Sequence, residues 1–254
     1  MLVYREYQPH VMLDRYVETY WTVQGFLDEG EYHRVLPDGC VDIIFSFTAN
    51  NHPSGLLPFV PNVVGTMTCY SQGYYPSDVD FLGIRFKPAG ITAFIRSPIN
   101  EFTDRRIDLA LVDGSLFDDY FHMDLPGKTS VGEKIEHIDA YFIRKLKYVF
   151  GLEPQIVHAV DLIKRTKGLL SPTDIASKVC LSPRHFERKF KSAVGISPKT
   201  FSKVTKFGHS ISYLKKHPGE SLFSVAVDCG YYDHAHMIRE FQFMSGSSPS
   251  YFKL

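Results

Sequence analysis

Residues 175–201, IASKVCLSPRHFERKFKSAVGISPKTF, recur in altered form as residues 225–252, VAVDCGYYDHAHMIREFQFMSGSSPSYF. At an offset of 50, Ile175 and Ala176 meet Val225 and Ala226, and Val179 meets Cys229. One extra residue then enters the second copy and the offset becomes 51. Phe186 now meets Met237, Phe190 meets Phe241, Gly195 meets Gly246, Pro198 meets Pro249 and Phe201 meets Phe252. Each copy reads as helix, short turn, helix and closing glycine, with an alanine small enough to let two helices cross. This predicts a pair of helix-turn-helix units.

The punctuation agrees. Ser171-Pro172, Ser182-Pro183, Ser197-Pro198 and Ser248-Pro249 place a serine where it can cap free helical amides. Each proline then falls at the first helical position, where a missing N–H costs nothing. Gly168, Gly195, Gly230 and Gly246 fall where helices should close in the left-handed conformation.

The stretch 230–241, GYYDHAHMIREF, has the residue types of a metal site. A helix turns about 100° per residue, so His234 and His236 stand about 200° apart and cannot grip one ion. Asp233 occupies the capping position that Ser182 holds in the first copy, which accounts for it without metal. No metal ligand and no cofactor are assigned.

Phe186 with Phe190 and Met237 with Phe241 form inward i, i+4 pairs. Opposite the first pair lie Arg184, His185, Arg188 and Lys191, with Glu187 at the border. Opposite the second lie Ala235, His236, Arg239 and Gln242, with His234 at the helix start. Arginine can bond guanine bidentately, and Lys and Gln can reach phosphates or base edges. The chain as a whole is neutral, yet from Pro154 on it carries 15 Lys and Arg against 7 Asp and Glu, a charge of +8. Residues 1–153 carry 13 against 21, a charge of −8. The expected partner of the basic half is double-stranded DNA.

The first half has a different texture. Residues 16–26, 41–47, 63–70 and 81–86 are β-branched and aromatic, and turn clusters such as LPDGC and TANNHPSG bound them. They predict a sandwich or barrel-like domain. Residues 133–150 follow with Ile135, Ile138, Phe142, Leu146 and Val149 on one helical stripe. That stripe either packs on its own sheet or joins a second subunit. The expected fold class is therefore α+β in two domains. Residues 1–150 form a β-rich domain with flanking helices, and residues 154–254 an all-α domain of two helix-turn-helix units joined by a long helix.

No apolar run approaches a membrane span, and the start, MLVYREYQPH, lacks a signal core. These features predict a cytoplasmic, nucleoid-associated protein with no membrane partner. Cys40, Cys69, Cys180 and Cys229 are scattered and read as four buried thiols.

The tail resembles the carboxy-terminal DNA-binding domain of AraC-type transcriptional regulators through LSPRHFERKFKSAVGISPKTF, KVTKFGHSISYL and GYYDHAHMIREFQFMSGSSPSYF. The resemblance implies seven helices, a long one over about 198–216, and two recognition helices in successive major grooves roughly one DNA turn apart. It also implies RNA polymerase as a partner, activation of transcription among its roles, and homodimerisation. Lys203 and Lys206 stand where the family usually has arginine, Ser210 where it has alanine, and Ala235 and Ile238 thin the polar face of the second unit. HRVLPDGCVDIIFSF and FLGIRFKPAGITAFIRSPINEFTD look like the sensor half of one branch of these regulators. That implies a small-molecule effector, for which Trp21, Arg34, Asp38, Asp42 and Arg85 are the candidate contacts, with Tyr20 beside them.

The competing reading makes the first half an enzyme, either metal-dependent or a DNA-repair enzyme with an appended DNA reader. The first would want clustered ligands, but His10, His33, His52, His122 and His137 are dispersed. The second would want a cysteine-rich metal site and a reactive thiolate, and only Cys40 and Cys69 lie in this half. A DNA-binding regulator without catalytic residues is the expected function.

Overall fold

The computed structural model describes residues 1–28, 31–48, 55–75 and 78–253. Residues 49–54 of the TANNHPSG cluster, His52 among them, lie outside the described residues.

Strands β1 (Val3–Tyr7), β2 (Val17–Gly25), β3 (His33–Val35), β4 (Val41–Ser46), β5 (Asn62–Val64), β6 (Ser71–Gly73), β7 (Val79–Phe86) and β8 (Arg106–Asp108) build the first half. Six form an antiparallel sheet in the order β1-β2-β7-β4-β5-β8, and β3 pairs with β6 in a separate ribbon. Side chains alternate across a strand, so the sheet has two faces. Tyr20, Val41, Ile43, Phe45, Leu82, Ile84 and Phe86 enter one core. Trp21, Val23 and Phe81 point the other way into a smaller cluster.

Short helices α1 (Ala110–Asp113) and α2 (Asp119–Asp124) lead to α3 (Val131–Lys145). Ser130 and Glu133 form a capping box at the start of α3, and the exposed Glu133 carboxyl is held down at about 2 by the amides it accepts. The helix ends at Lys145 and passes into a 3-10 turn, Leu146–Tyr148, short of the expected residue 150. Its stripe packs on the domain's own core: Ile135, Ile138 and Phe142 are buried there, with Leu146 and Val149 partly covered. Of the two fates expected for that stripe, packing on its own sheet is the one seen.

The strand expected over 63–70 is shorter than its alternation implies. After β5 the chain leaves the sheet at Gly65, where a Cβ would lie 1.9 Å from the Phe102 carbonyl oxygen. Residues 66–70 then run along the helical tail, and strand pairing resumes only at β6.

The tail contains α4 (Pro154–Arg165), α5 (Pro172–Lys178), α6 (Pro183–Val194), α7 (Pro198–Lys216), α8 (Leu222–Asp228) and α9 (His234–Ser245). A 3-10 turn, Pro249–Lys253, stands where the seventh helix was expected. Ser171, Ser182, Ser197 and Asp233 each accept from the amide three residues on. Gly168, Gly195, Gly230 and Gly246 all have positive φ. Ala176 and Ala226 are buried at the two crossings, and Phe186, Phe190, Phe201, Phe207, Met237 and Phe241 fill one core. Of the four thiols only Cys229 is buried; Cys40 and Cys69 are half-buried and Cys180 is exposed, because a turn and loops carry them. Among the described residues no helix is long and apolar enough to cross a membrane.

Candidate nucleic-acid interface and ligand cavity

In α6, Phe186, Phe190 and Val194 face the core. Arg184, Glu187, Arg188 and Lys191 are exposed on the opposite side, and His185 is half-buried beside them. In α9, Met237, Phe241 and Met244 face inward while Ala235, Arg239 and Gln242 are exposed. The two histidines of α9 differ from their neighbours. His236 Nε2 lies 3.2 Å from Glu240, and its Nδ1 accepts from the Tyr232 amide at 3.4 Å. His234 is half-buried, with Nε2 enclosed. The free outer face of α9 thus narrows to Ala235, Arg239, Gln242 and the apolar Phe243.

Glu240 is a structural residue whose role the spacing along α9 does not reveal. Its buried carboxylate receives Lys203 at 2.9 Å, Lys206 at 3.6 Å and His236 at 3.2 Å. Burial alone would raise its pKa, but the close ammonium of Lys203 and the nearby Lys206 charge outweigh that and hold it below the usual value. The two lysines that replace arginines therefore pin α7 to α9. Ser210 is also occupied internally: its hydroxyl bonds the Lys206 carbonyl at 2.8 Å and meets the Tyr231 hydroxyl at 3.2 Å. The two lysine partners arrive from another helix, beyond the reach of spacing along α9.

On the other side of the sheet, between it and the β3–β6 ribbon, lies a cavity of about 590 Å³. Trp21, Asp38, Asp42 and Arg85 all line it. Arg85 Nε and Nη2 each reach Asp42 at 3.2 Å, and Nε also lies 3.2 Å from Asp38. Burial pushes the Asp42 carboxyl up to about 6 against the pull of Arg85, with Asp38 adding to the rise. Burial, then Asp38 and Asp42, push the Cys40 thiol well up. Burial lowers His33. Tyr20 belongs to the opposite face, where its hydroxyl donates to Asp139 at 2.8 Å.

Arg34 is not among the lining residues and faces the tail instead. Its guanidinium donates to Ser247 Oγ at 2.5 Å and stacks over Tyr70 and Tyr251 at 5.4 and 6.0 Å. It stands on a strand whose neighbours His33 and Val35 do line the cavity, and alternation turns it away. Thr66 donates to the Val194 carbonyl at 2.5 Å, and Thr103 to the Gly195 carbonyl at 2.6 Å. The closing turns of both α6 and α9 thus rest on the β-rich half. Segment 64–73 has two sides: Thr66 and Tyr70 meet the tail, and Val64, Met67, Ser71 and Gln72 line the cavity.

Twin helix-turn-helix units with exposed cationic outer faces, beside a β-rich domain that encloses a cavity, define a DNA-binding regulator. Residues 175–253 match the family described as a helix-turn-helix domain, and residues 5–108 match a domain of unknown function, DUF6597. The matched tail region carries both helix-turn-helix units, from within α5 to the closing 3-10 turn. No curated protein matches the chain significantly. Among solved structures, a transcriptional regulator with an AraC-type DNA-binding domain from Chromobacterium violaceum is 24% identical and matches 39% of this chain and 89% of its own (TM-score 0.37). A ligand-free ToxT variant from Vibrio cholerae is 11% identical over 92% of this chain and 96% of its own (TM-score 0.47). Wild-type ToxT bound to an unsaturated fatty acid, from the same organism, is 11% identical over 99% and 94% (TM-score 0.43).

Proposed function

We propose that the protein is a one-component transcription regulator whose tail, from about residue 154, reads promoter DNA while residues 1–150 sense a small molecule. The observation that carries this reading is the duplicated unit, with Arg184, Arg188 and Lys191 on one exposed helix face and Arg239 and Gln242 on the other. Arg184 and Arg188 reach guanine edges, Lys191 and Gln242 reach phosphates or base edges, and His185 and Glu187 border the contact. Ala235 offers a methyl for thymine. A ligand in the cavity acts by its differential affinity for two arrangements of the halves. The reading implies a nucleoid location, contact with RNA polymerase, and a homodimer on two-fold operators.

Catalysis has no support at the most enclosed thiol of the first half. A nucleophilic cysteine needs a lowered pKa, and Cys40 is shifted the opposite way.

Selection of bound fragments from a random DNA pool tests the proposal. The expected motif has two conserved blocks centred about 10 base pairs apart. Recovery of fragments without sequence enrichment overturns it.

A further inference from the structure

The cavity's chemistry names the kind of molecule it would hold; this inference rests on the sensing role proposed above. At its floor two carboxylates, Asp38 and Asp42, share the single guanidinium of Arg85. Among direct contacts two carboxylates there meet one guanidinium, while Lys164 of α4 acts on Cys40 at a longer range. The Cys40 thiol reports the two carboxylates, which raise it beyond the effect of burial, whereas at Asp42 the pull of Arg85 exceeds the push of Asp38. Arg106 lines the cavity as well, but on β8, two strands from Asp42 across the sheet. His33 is the remaining basic group, and burial favours its neutral form.

The walls around the acidic end are aromatic. Tyr4 stacks on Trp21 with centroids 6.3 Å apart, and Tyr75 meets Phe81 edge-on at 5.6 Å. Trp21 is 7% exposed, and its indole nitrogen is buried beside Asp42 without a well-formed hydrogen bond. Aromatic faces attract cations through their quadrupole, and the attraction grows when water is excluded. Excess carboxylate with aromatic walls selects an organic cation and penalises an anion placed at the same point. A volume of about 590 Å³ suits a small ligand with an apolar body.

We propose that the cavity binds an organic amine or quaternary ammonium compound, its charged nitrogen beside Asp38 and Asp42 and its body against Trp21, Tyr4 and Tyr75. The test uses the full chain and three probes of one shape: phenethylamine, 2-phenylethanol and phenylacetate, with benzyltrimethylammonium as the quaternary member. Thermal unfolding and calorimetric titration are read without DNA. The amine and the ammonium raise the melting temperature in a saturable way, and the alcohol and the carboxylate do not. Asp38→Asn, an isosteric change at a side chain 41% exposed, weakens the amine about tenfold.

Equal response to all probes, preference for phenylacetate, or no response from the cations overturns the proposal. So does unchanged amine affinity in Asp38→Asn. The wild-type probe series decides the matter even if the variant fails to fold. Fragment selection is separate: sequence-specific DNA binding without an amine response sinks this inference alone, and saturable amine binding without sequence enrichment sinks only the DNA reading.

Discussion

Cys180 holds φ at +55°, and its counterpart in the second unit, Gly230, holds +72°. Both close the first helix of their unit, and only one has the residue suited to it. Left-handed backbone costs a residue with a Cβ roughly 1–2 kcal/mol, part of which glycine loses again through chain entropy. Cys180→Gly is therefore expected to raise stability by about 1 kcal/mol, read as a higher urea midpoint with unchanged slope. Glu240 makes the opposite case. Glu240→Gln leaves Lys203 and Lys206 without their counter-charge and is expected to cost about 1–3 kcal/mol at pH 7. The folded-state pKa of Glu240 is depressed, so its contribution is complete above the ordinary carboxylate value and fades as pH falls through the folded one. The gap between variant and wild type in urea melts should accordingly shrink on going from pH 7 to pH 3. At the DNA face, Arg188→Ala is expected to cost about 1–3 kcal/mol on the cognate site and to relax choice at one base. Retained affinity and specificity in a footprint would remove Arg188 from base reading.

Elements were legible to the extent that local rules govern them. The caps at Ser171, Ser182, Ser197 and Asp233 answer to the amides three residues away, so sequence placed the starts of α5, α6, α7 and α9. Residues 63–70 alternate like a strand, yet their partners are not all strands. Thr66 and Tyr70 spend that alternation on the tail, a contact 128 residues away in the case of Thr66 and Val194. Arg34 was placed with the cavity residues for a related reason: its three-residue strand was not read from the sequence, and so neither was the side it would face. Asp38, Asp42 and Arg85 could be listed but not joined, because their meeting depends on β4 lying beside β7. These contacts yield an element-scale prediction. Thr66→Val, Thr103→Val and Arg34→Ala together remove the hydrogen bonds that tie both recognition helices to the β-rich half. Calorimetry should then resolve two unfolding transitions where the wild type shows one.

At the scale of the molecule, a charge of −8 sits beside a charge of +8. The acidic half repels the duplex that the basic half attracts, so orientation on DNA is set before any base is read. Seven cations are exposed on α6, α7 and α9: Lys215 and Lys216 in the last turn of α7, and Arg184, Arg188, Lys191, Lys199 and Arg239, the five assigned to the DNA face. Neutralising about five phosphates predicts an affinity loss on the order of 10²–10³-fold between 50 and 200 mM salt, measurable by fluorescence anisotropy. A flat salt response would mean that those side chains do not meet the backbone.

The turn that carries Asp38 has one more property. Gly39, at φ +83°, presses so closely on the Phe201 ring of α7 that a Cβ there would lie 2.5 Å from it. Asp38 and Cys40 look into the chamber from the same three-residue turn whose back touches the helix joining both DNA-reading units. Under the sensing proposal, a guest that tugs on Asp38 pulls on a lever whose other arm already rests against the linker between the two reading heads.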